Sequence, residues 1–405
     1  MERKRIAIIG GGPAGMMAAD VLAPFHDVHV YEHGKAIGRK FLVAGQGGFN
    51  LTNSAEGAAV KAVYTPPGFL DDALDAFGTT ELRTWLEEVG IGTYIGTSGR
   101  VFPTKGIKPI EVLERIRERL LARGVQFHLE HAFDGFDEQG RPIIENSTER
   151  AILEADFVLF ALGGASWPVT GSTGIWPPLF TAIGINDAPF RSSNCGIEIT
   201  WPEHVVRDHG GKPLKNIRIT AGAMSVLGEA NITEHGLEGN AVYPVVPALR
   251  EALEKGMPAH VEIDFKPNNS EEQLLLKLTD KAVKDFAYSV NIERAQLALL
   301  KAFTPKERFL SPAGFVHDIK HLRLPVAGLR PVGEAISTVG GIRTEDLGPD
   351  FAFKKFPHLF AIGEMVDWDA PTGGFLLQGC FAMGHHAAQS ILRATRHSEP
   401  PVSNG

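Results

Sequence analysis

Apolar residues along this chain fall into short runs broken by glycine and proline, and the period of each run sets the element it predicts. Arg5-Ile6-Ala7-Ile8-Ile9 is a brief apolar run ending at Gly10-Gly11-Gly12, which predicts a buried strand. Ala14 to Ala23 suits a helix that opens just after Pro13 and stops at Pro24. Val28 to Tyr31 predicts a second strand. The three together read as a βαβ unit, whose right-handed crossover sets both strands parallel in one sheet. Further on, Pro109 to Arg123 predicts a helix, because Leu113, Ile116 and Leu120 recur at helical spacing and Gly124 follows as a stop. Val125–Phe136 and Ile152–Leu162 read as strands, the second ending in Gly163-Gly164.

The pattern changes near residue 190. Short β-like stretches at Gly196–Thr200, Ile217–Thr220, Ala241–Val246 and His260–Phe265 alternate with Gly and Pro turns and predict a small antiparallel sheet or barrel. Residues 271–302 are continuously helix-favouring, with Leu274, Leu275, Leu278, Leu297, Leu299 and Leu300. After Pro325 glycine-punctuated α/β character returns. The domain expectation is an N-terminal portion at 1–190, an insert at 191–325, a C-terminal portion at 326–397 and a flexible polar tail at 398–405.

Composition narrows the function. The 405 residues suffice for two or three domains. The formal net charge of −8 argues against wrapping nucleic acid through bulk charge. Two cysteines, Cys195 and Cys380, exclude a disulfide scaffold, a four-thiolate zinc site and a thiolate-held iron–sulfur cluster. No apolar run is long enough to span a membrane, and the basic start Met1-Glu2-Arg3-Lys4-Arg5 leads into an apolar run too short for a signal peptide. A cytoplasmic protein is expected.

The glycines after the first strand carry the chemistry. Gly10-Gly11-Gly12-Pro13-Ala14-Gly15 fits G-x-G-x-x-G between a strand and a helix, and Glu32 ends the next strand. Gly10 permits the tight turn, Gly12 lets the backbone approach a pyrophosphate, and Gly15 allows close helix–strand packing. The helix N-terminus offers N–H groups to the phosphates, and Glu32 can accept from an adenosine ribose while repelling a 2′-phosphate. Three later features select FAD over NAD. Gly38-Arg39-Lys40 follows the second strand, Phe157–Gly164 resembles a strand returning to the sheet, and Gly363-Glu364 with Asp367 and Gly373-Gly374-Phe375 reads as a C-terminal flavin segment. There an acid can bind ribityl hydroxyls, and a helix N-terminus can stabilise charge on reduced flavin. No second G-x-G-x-x-G follows a strand, so a dedicated nicotinamide domain is not expected. The fold class is α/β: a Rossmann-like FAD-binding domain of glutathione-reductase type, split by an inserted β-barrel plus helices.

Gly10–Gly15, the stretch from Gly38 to Asn53, Gly99-Arg100-Val101-Phe102-Pro103 and Gly363–Asp367 with Gly373-Gly374 resemble the BaiN/RdsA-like (YhiN-like) NAD(P)/FAD-dependent oxidoreductases. The resemblance covers nearly the whole chain. It implies a split FAD domain around an inserted barrel, and activities as diverse as bile-acid intermediate reduction, amine oxidation and reduction of a ribosomal RNA uridine. Many members carry Arg-Cys ahead of the position of Asn50; Gly48-Phe49 stand here instead, which implies a branch without thiol-dependent chemistry.

Catalytic candidates are Lys40, Asn50, Thr52 and Arg100, with Gln46 in the same loop as Lys40 and Asn50. Lys40 can stabilise an anionic reduced flavin, Asn50 and Thr52 can hydrogen-bond the ring edge, and Arg100 can bind an acidic substrate. The competing readings are turn and helix caps for Asn50 and Thr52, and a surface ion pair for Arg100. Trp167 and Thr173 are candidates for a substrate wall. His385 and His386, adjacent on a helix, point to different faces, so no metal site is expected from them. The leading expectation is an FAD oxidoreductase acting on a small molecule, with NAD(P)H as a transient co-substrate and the substrate entering between the two domains. Alternatives are an RNA-modifying flavoenzyme using Lys301, Lys306, Arg308, Lys320, His321, Arg323 and Arg330, an amine oxidase, and a non-catalytic flavin sensor.

Overall fold

The computed structural model describes residues 2–43 and 48–397; the expectations for Gln46 and for the tail at 398–405 lie outside the described residues. Two compact units emerge. The first joins residues up to Arg191 with those from Ile336 onward, and the second is Ser192–Ala335.

In the first unit β1 (Arg5–Ile9), α1 (Pro13–Leu22) and β2 (Asp27–Glu32) form the βαβ motif. They are followed by α2 (Pro109–Ala122), β3 (Gln126–Leu129), β4 (Phe157–Phe160), β5 (Leu359–Ala361) and the long α3 (Phe375–His397). The five strands make one parallel sheet in the order β5-β4-β1-β2-β3. Ile6, Ile8, Val30, Leu159 and Ala361 are fully buried, as expected of a sheet covered on both faces. Strand order reverses beside β1: the chain runs outward through β2 to β3, then returns to β4 on the other side. Such a reversal opens a crevice at the carboxyl ends of the strands.

The second unit holds a seven-stranded antiparallel sheet whose two ends are Leu322–Val326 and Gly328–Leu329. Leu322–Val326 pairs with Ala259–Asp264, and Gly328–Leu329 with Ile197–Glu198. One segment therefore supplies both ends of the sheet and curls it into a barrel. It also carries the unit boundary about ten residues beyond the expected 325, because residues 322–329 are barrel strands.

Local expectations fail where tertiary or backbone terms prevail. Ala241–Val246 is not a strand: a 3-10 turn at Tyr243–Val245 leads into a helix at Val246–Glu254. Pro244 and Pro247 fall in first turns, where a missing N–H costs nothing. The helical run 271–302 breaks into Glu271–Leu278, Phe286–Ser289 and Arg294–Phe303. Asp280 and Asn291 take φ of 57° and 55°, which a right-handed helix cannot contain. Val125–Phe136 likewise splits at Glu130, also at φ 57°. A strand at Met224–Ile232, unforeseen, pairs with Pro213–Ala221.

Candidate functional site

The crevice of the first unit is walled by the β1–α1 turn, the tip of β2, the ends of β4 and β5, and residues 38–41. Gly10 has φ 112°, and a Cβ there would sit 2.2 Å from the Ala161 carbonyl oxygen, so the turn and the β1–β4 contact both require glycine. At Gly12 a Cβ would meet nothing within 4 Å. The space beside that backbone is open, and a ligand can come against it. No side chain caps the N-terminus of α1 and no acid stands in its first turn, which leaves the positive end of the helix to an anion. Gly15 instead faces the Gly10 carbonyl and serves packing, outside the crevice wall.

Glu32 is 8% exposed. Its carboxylate accepts from the Gly11 N–H at 3.0 Å and the Gly34 N–H at 2.8 Å, and pairs with His33 Nδ1 at 3.0 Å. Burial alone would raise its pKa; the hydrogen bonds from His33, Gly34 and Gly11 outweigh that and hold it below the ordinary value. The same bond raises the pKa of His33. Oε1 is used by His33 and Gly34, while Oε2 has the Gly11 N–H alone and keeps acceptor capacity, so an anionic acceptor stands fixed at the end of β2.

Opposite lies a polar cluster. Lys40 Nζ donates to Glu364 at 2.6 Å and to Ser166 Oγ at 2.7 Å. The other Glu364 oxygen accepts from the Thr338 N–H at 3.1 Å. Arg39 donates to the Val169 carbonyl at 2.7 Å. Gly163 and Gly363 complete the wall, both with positive φ, and Cys380 lies beside Gly363. Burial pushes the Cys380 thiol up to about 12, with Glu364 adding to the effect, so it is no thiolate nucleophile.

The remaining candidates gather at the N-terminus of α3 and do not themselves line that wall. The Thr52 hydroxyl is fully buried and donates to Gln378 Oε1 at 2.7 Å, so it holds the fold together and does not reach a ring edge. With its amide oriented to satisfy both neighbours, Asn50 accepts from the Gly374 N–H at 2.5 Å and donates to the Gly48 carbonyl at 3.2 Å. A Cβ on Gly374 would lie 2.3 Å from the Thr52 carbonyl oxygen, and Asn53 donates to the Gly373 carbonyl at 3.1 Å. Tyr64 donates to the Phe375 carbonyl at 2.7 Å. Asn50 and Thr52 thus act as the turn and helix ties that were their competing reading. Asp367 accepts from the Gly340 N–H at 2.8 Å and is likewise used within the fold. Arg100, on the strand Arg100–Pro103, lies beside Gly373, is half-buried and forms no ion pair among the described residues. Its expected surface ion pair is therefore absent from the described residues.

Residues outside these clusters also find places. Thr173 lines the crevice; Trp167 is not in its wall and takes φ 57°. Cys195 is 2% exposed, and burial raises its thiol to about 11. His385 stacks on Phe77 and His386 edges onto Phe351, on different faces of α3. In the second unit Arg308 pairs with Asp318, Lys320 with Asp264, His321 and Arg323 with Glu262, and Arg330 with Glu198 and Glu334. Only Lys301 and Lys306 of the basic set lack a carboxylate partner among the described residues. Sequence reasoning passed over Gly11, His33, Ser166 and Thr338. Thr338 and Ser166 carry no local motif, and only the fold brings them to Lys40 and Glu364.

A parallel sheet of this order, with an open glycine turn at β1 and an acid at the tip of β2, defines a Rossmann-type dinucleotide-binding α/β protein. The chain belongs to the HI0933-like family: the model of the HI0933-like protein Rossmann domain matches residues 4–390. It is similar to the 3-dehydro-bile acid delta(4,6)-reductase of Clostridium scindens, at 24% identity over 95% of this chain and 98% of that protein. It is also similar to the ribosomal RNA dihydrouridine synthase of Haemophilus influenzae, at 25% identity over 95% and 98%. Among solved structures, the 3-ketosteroid-delta4-(5alpha)-dehydrogenase of Rhodococcus jostii RHA1 in complex with 4-androstene-3,17-dione superposes with a TM-score of 0.50. That match has 13% identity and covers 96% of this chain and 97% of the other, a likeness of fold. The chain is an enzyme of a family that includes a reductase. Among the described residues no helix is long and apolar enough to cross a membrane.

Proposed function

We propose that the chain holds FAD along the crevice of its first unit and reduces an activated carbon–carbon double bond in a small molecule, with NAD(P)H as the electron donor. The observation that carries this reading is the continuity of one wall from Glu32, past the open backbone at Gly12, to the Lys40–Glu364 pair. In this reading Glu32 binds the adenosine ribose, and the N–H groups of Gly12 and Ala14 take the pyrophosphate after Gly10 and Pro13 have set the turn. Arg39 balances phosphate charge, Gly163 and Gly363 admit the cofactor close to the backbone, and Glu364 accepts from ribityl hydroxyls. Lys40 places a cation where charge gathers on reduction, and the α3 N-terminus at Gly373, Gly374 and Phe375 adds its dipole. When bound, FAD supplies two-electron hydride chemistry; the chain supplies orientation and charge.

Arg100, which forms no ion pair among the described residues, is the residue that meets substrate in this reading. A half-buried guanidinium of this kind can hold a carbonyl oxygen as negative charge develops there, which favours hydride addition to the conjugated carbon. The two relatives named above, a delta(4,6)-reductase and a dihydrouridine synthase, add hydrogen across a carbon–carbon double bond, which supports this class. A small substrate is favoured over RNA because most of the basic set named above is neutralised by carboxylates.

The test is anaerobic stopped-flow reduction of the yellow protein with NADH and NADPH, followed by α,β-unsaturated ketones and by uridine-containing RNA. Bleaching by a nicotinamide and reoxidation by an unsaturated ketone support the proposal. Reoxidation by RNA alone, or a flavin inert to both nicotinamides, overturns its substrate class or its donor respectively.

A further inference from the structure

In the second unit, two helices bring three metal-binding side chains together. Glu271 is the first residue of the helix Glu271–Leu278, set by the Ser270 N-cap. His317 lies in the last turn of the helix Pro312–Lys320, and His321 is its C-cap, four residues further and hence above the same face. One Glu271 oxygen is 3.6 Å from His317 Nδ1 and 3.4 Å from His321 Nε2, and the three donor atoms all lie within 4.8 Å of one another. Zinc bonds of about 2.0–2.2 Å at tetrahedral angles set ligand atoms roughly 3.3–3.5 Å apart, so the two Glu271 separations already approach the edges of such a site.

The second nitrogen of His321 is also engaged. Its Nδ1 contacts the Glu262 carboxylate at 2.8 Å. A carboxylate on the far nitrogen fixes the tautomer that leaves Nε2 as a lone-pair donor, the arrangement found behind metal-bound histidines. The two imidazoles have ring centroids 5.0 Å apart and stand half-exposed, so an ion can reach them from solvent. Charge suits a cation as well. Glu262 and Glu271 supply two negative charges at the cluster, against Arg323, whose contact with Glu262 is long at 3.4 Å.

We propose that Glu271, His317 and His321 form a three-ligand site for a borderline divalent transition metal, Zn2+ by its chemistry, oriented by Glu262. Two imidazoles and one carboxylate favour zinc, cobalt or nickel over magnesium and calcium, which prefer all-oxygen shells. The ion ties the helix Glu271–Leu278 to the helix Pro312–Lys320 and leaves a fourth position open to solvent. The inference is independent of the flavin reading, because every residue in it belongs to the second unit.

The test uses untagged full-length protein stripped with chelator, then titrated with Zn2+ by calorimetry and with Co2+ by visible absorption. A single Zn2+ per chain, a tetrahedral-type Co2+ band and no response to Mg2+ are expected. His317→Ala and His321→Ala should each abolish the Co2+ band, while circular dichroism and bound flavin stay as in the parent. Glu262→Gln should weaken Zn2+ by about 10–100-fold with the stoichiometry kept. Zn2+ binding that persists unchanged in the His317→Ala/His321→Ala double variant overturns the site, as does absence of binding to the parent protein. Unchanged affinity in Glu262→Gln overturns the orienting role.

Discussion

Lys40 and Glu364 stand 324 residues apart in the chain and 2.6 Å apart in space. Both are largely buried, at 26% and 17% side-chain exposure, so each is the other's main counter-charge in the crevice wall. Lys40→Met should weaken FAD binding or slow its reduction by about tenfold, and Glu364→Gln should act similarly. The double variant should lose much less than the sum, because neither charge is then stranded. A double-mutant cycle on FAD affinity and reduction rate reads this directly; simple additivity would break the assigned coupling.

The glycine turn separates binding from folding. Gly12→Val places a side chain in open space, so the protein should fold with a near-parental Tm yet lose FAD. Gly10→Val forces a clash with the Ala161 carbonyl at a positive φ and should destabilise the apoprotein itself. Thermal melts with and without added FAD distinguish the two.

Glu32 has a double duty that one substitution exposes. Glu32→Ala strips a buried acceptor from the Gly11 and Gly34 N–H groups, which should cost the apoprotein about 1–3 kcal/mol. It should also lower FAD affinity by at least about tenfold through the lost ribose contact. Chemical denaturation of apoprotein and fluorescence titration with FAD measure the two losses separately.

Thr52 and Arg100 should behave in opposite ways. Thr52→Val leaves the buried Gln378 oxygen without its donor and should lower stability by about 1–3 kcal/mol while leaving turnover per folded protein nearly intact. Arg100→Met should spare Tm and FAD content but lower kcat/KM at least about tenfold, as an interaction strengthened in the transition state is lost.

His385 gives the fold an acid-sensitive point. Burial lowers its pKa to about 4, its Nδ1 has no hydrogen-bond partner among the described residues, and the ring stacks on Phe77 at 4.6 Å. The unfolded chain takes up a proton near the ordinary value of 6.5, while the folded one resists it to about 4. Stability should therefore fall as pH drops from 6.5 towards 4 and be unaffected by this group above 6.5. In His385→Gln the decline of Tm over that window should be shallower by a few degrees.

These residues also show what could be read without coordinates. The turn at Gly10–Gly15 and the acid at Glu32 were legible because strand, helix and acid follow one another within one βαβ unit, where local pattern decides structure. The same holds for Pro109–Ala122. Glu364 was legible as a polar end to an apolar strand, but its pairing with Lys40 and Thr338 was not, because that depends on how β5 joins the sheet. Thr52 drew a catalytic reading since its type is equally suited to bonding a ligand or a helix end. Only the position of Gln378 decides between them. Pro244 and Pro247 hid a helix inside an apolar stretch, and Asp280 and Asn291 broke one that composition alone continued. His321 was placed among basic residues by sequence proximity and His317 was passed over, whereas their shared face with Glu271 comes from packing of separate helices.

The most direct measurement is the identity and amount of flavin released by denaturing the purified parent protein and its Gly12→Val variant. One FAD per parent chain, with little or none in folded Gly12→Val, is the expected result. A folded parent protein that carries no flavin and takes up none from added FAD, or one in which Gly12→Val retains it at full occupancy, would contradict the proposal that this crevice is built around FAD.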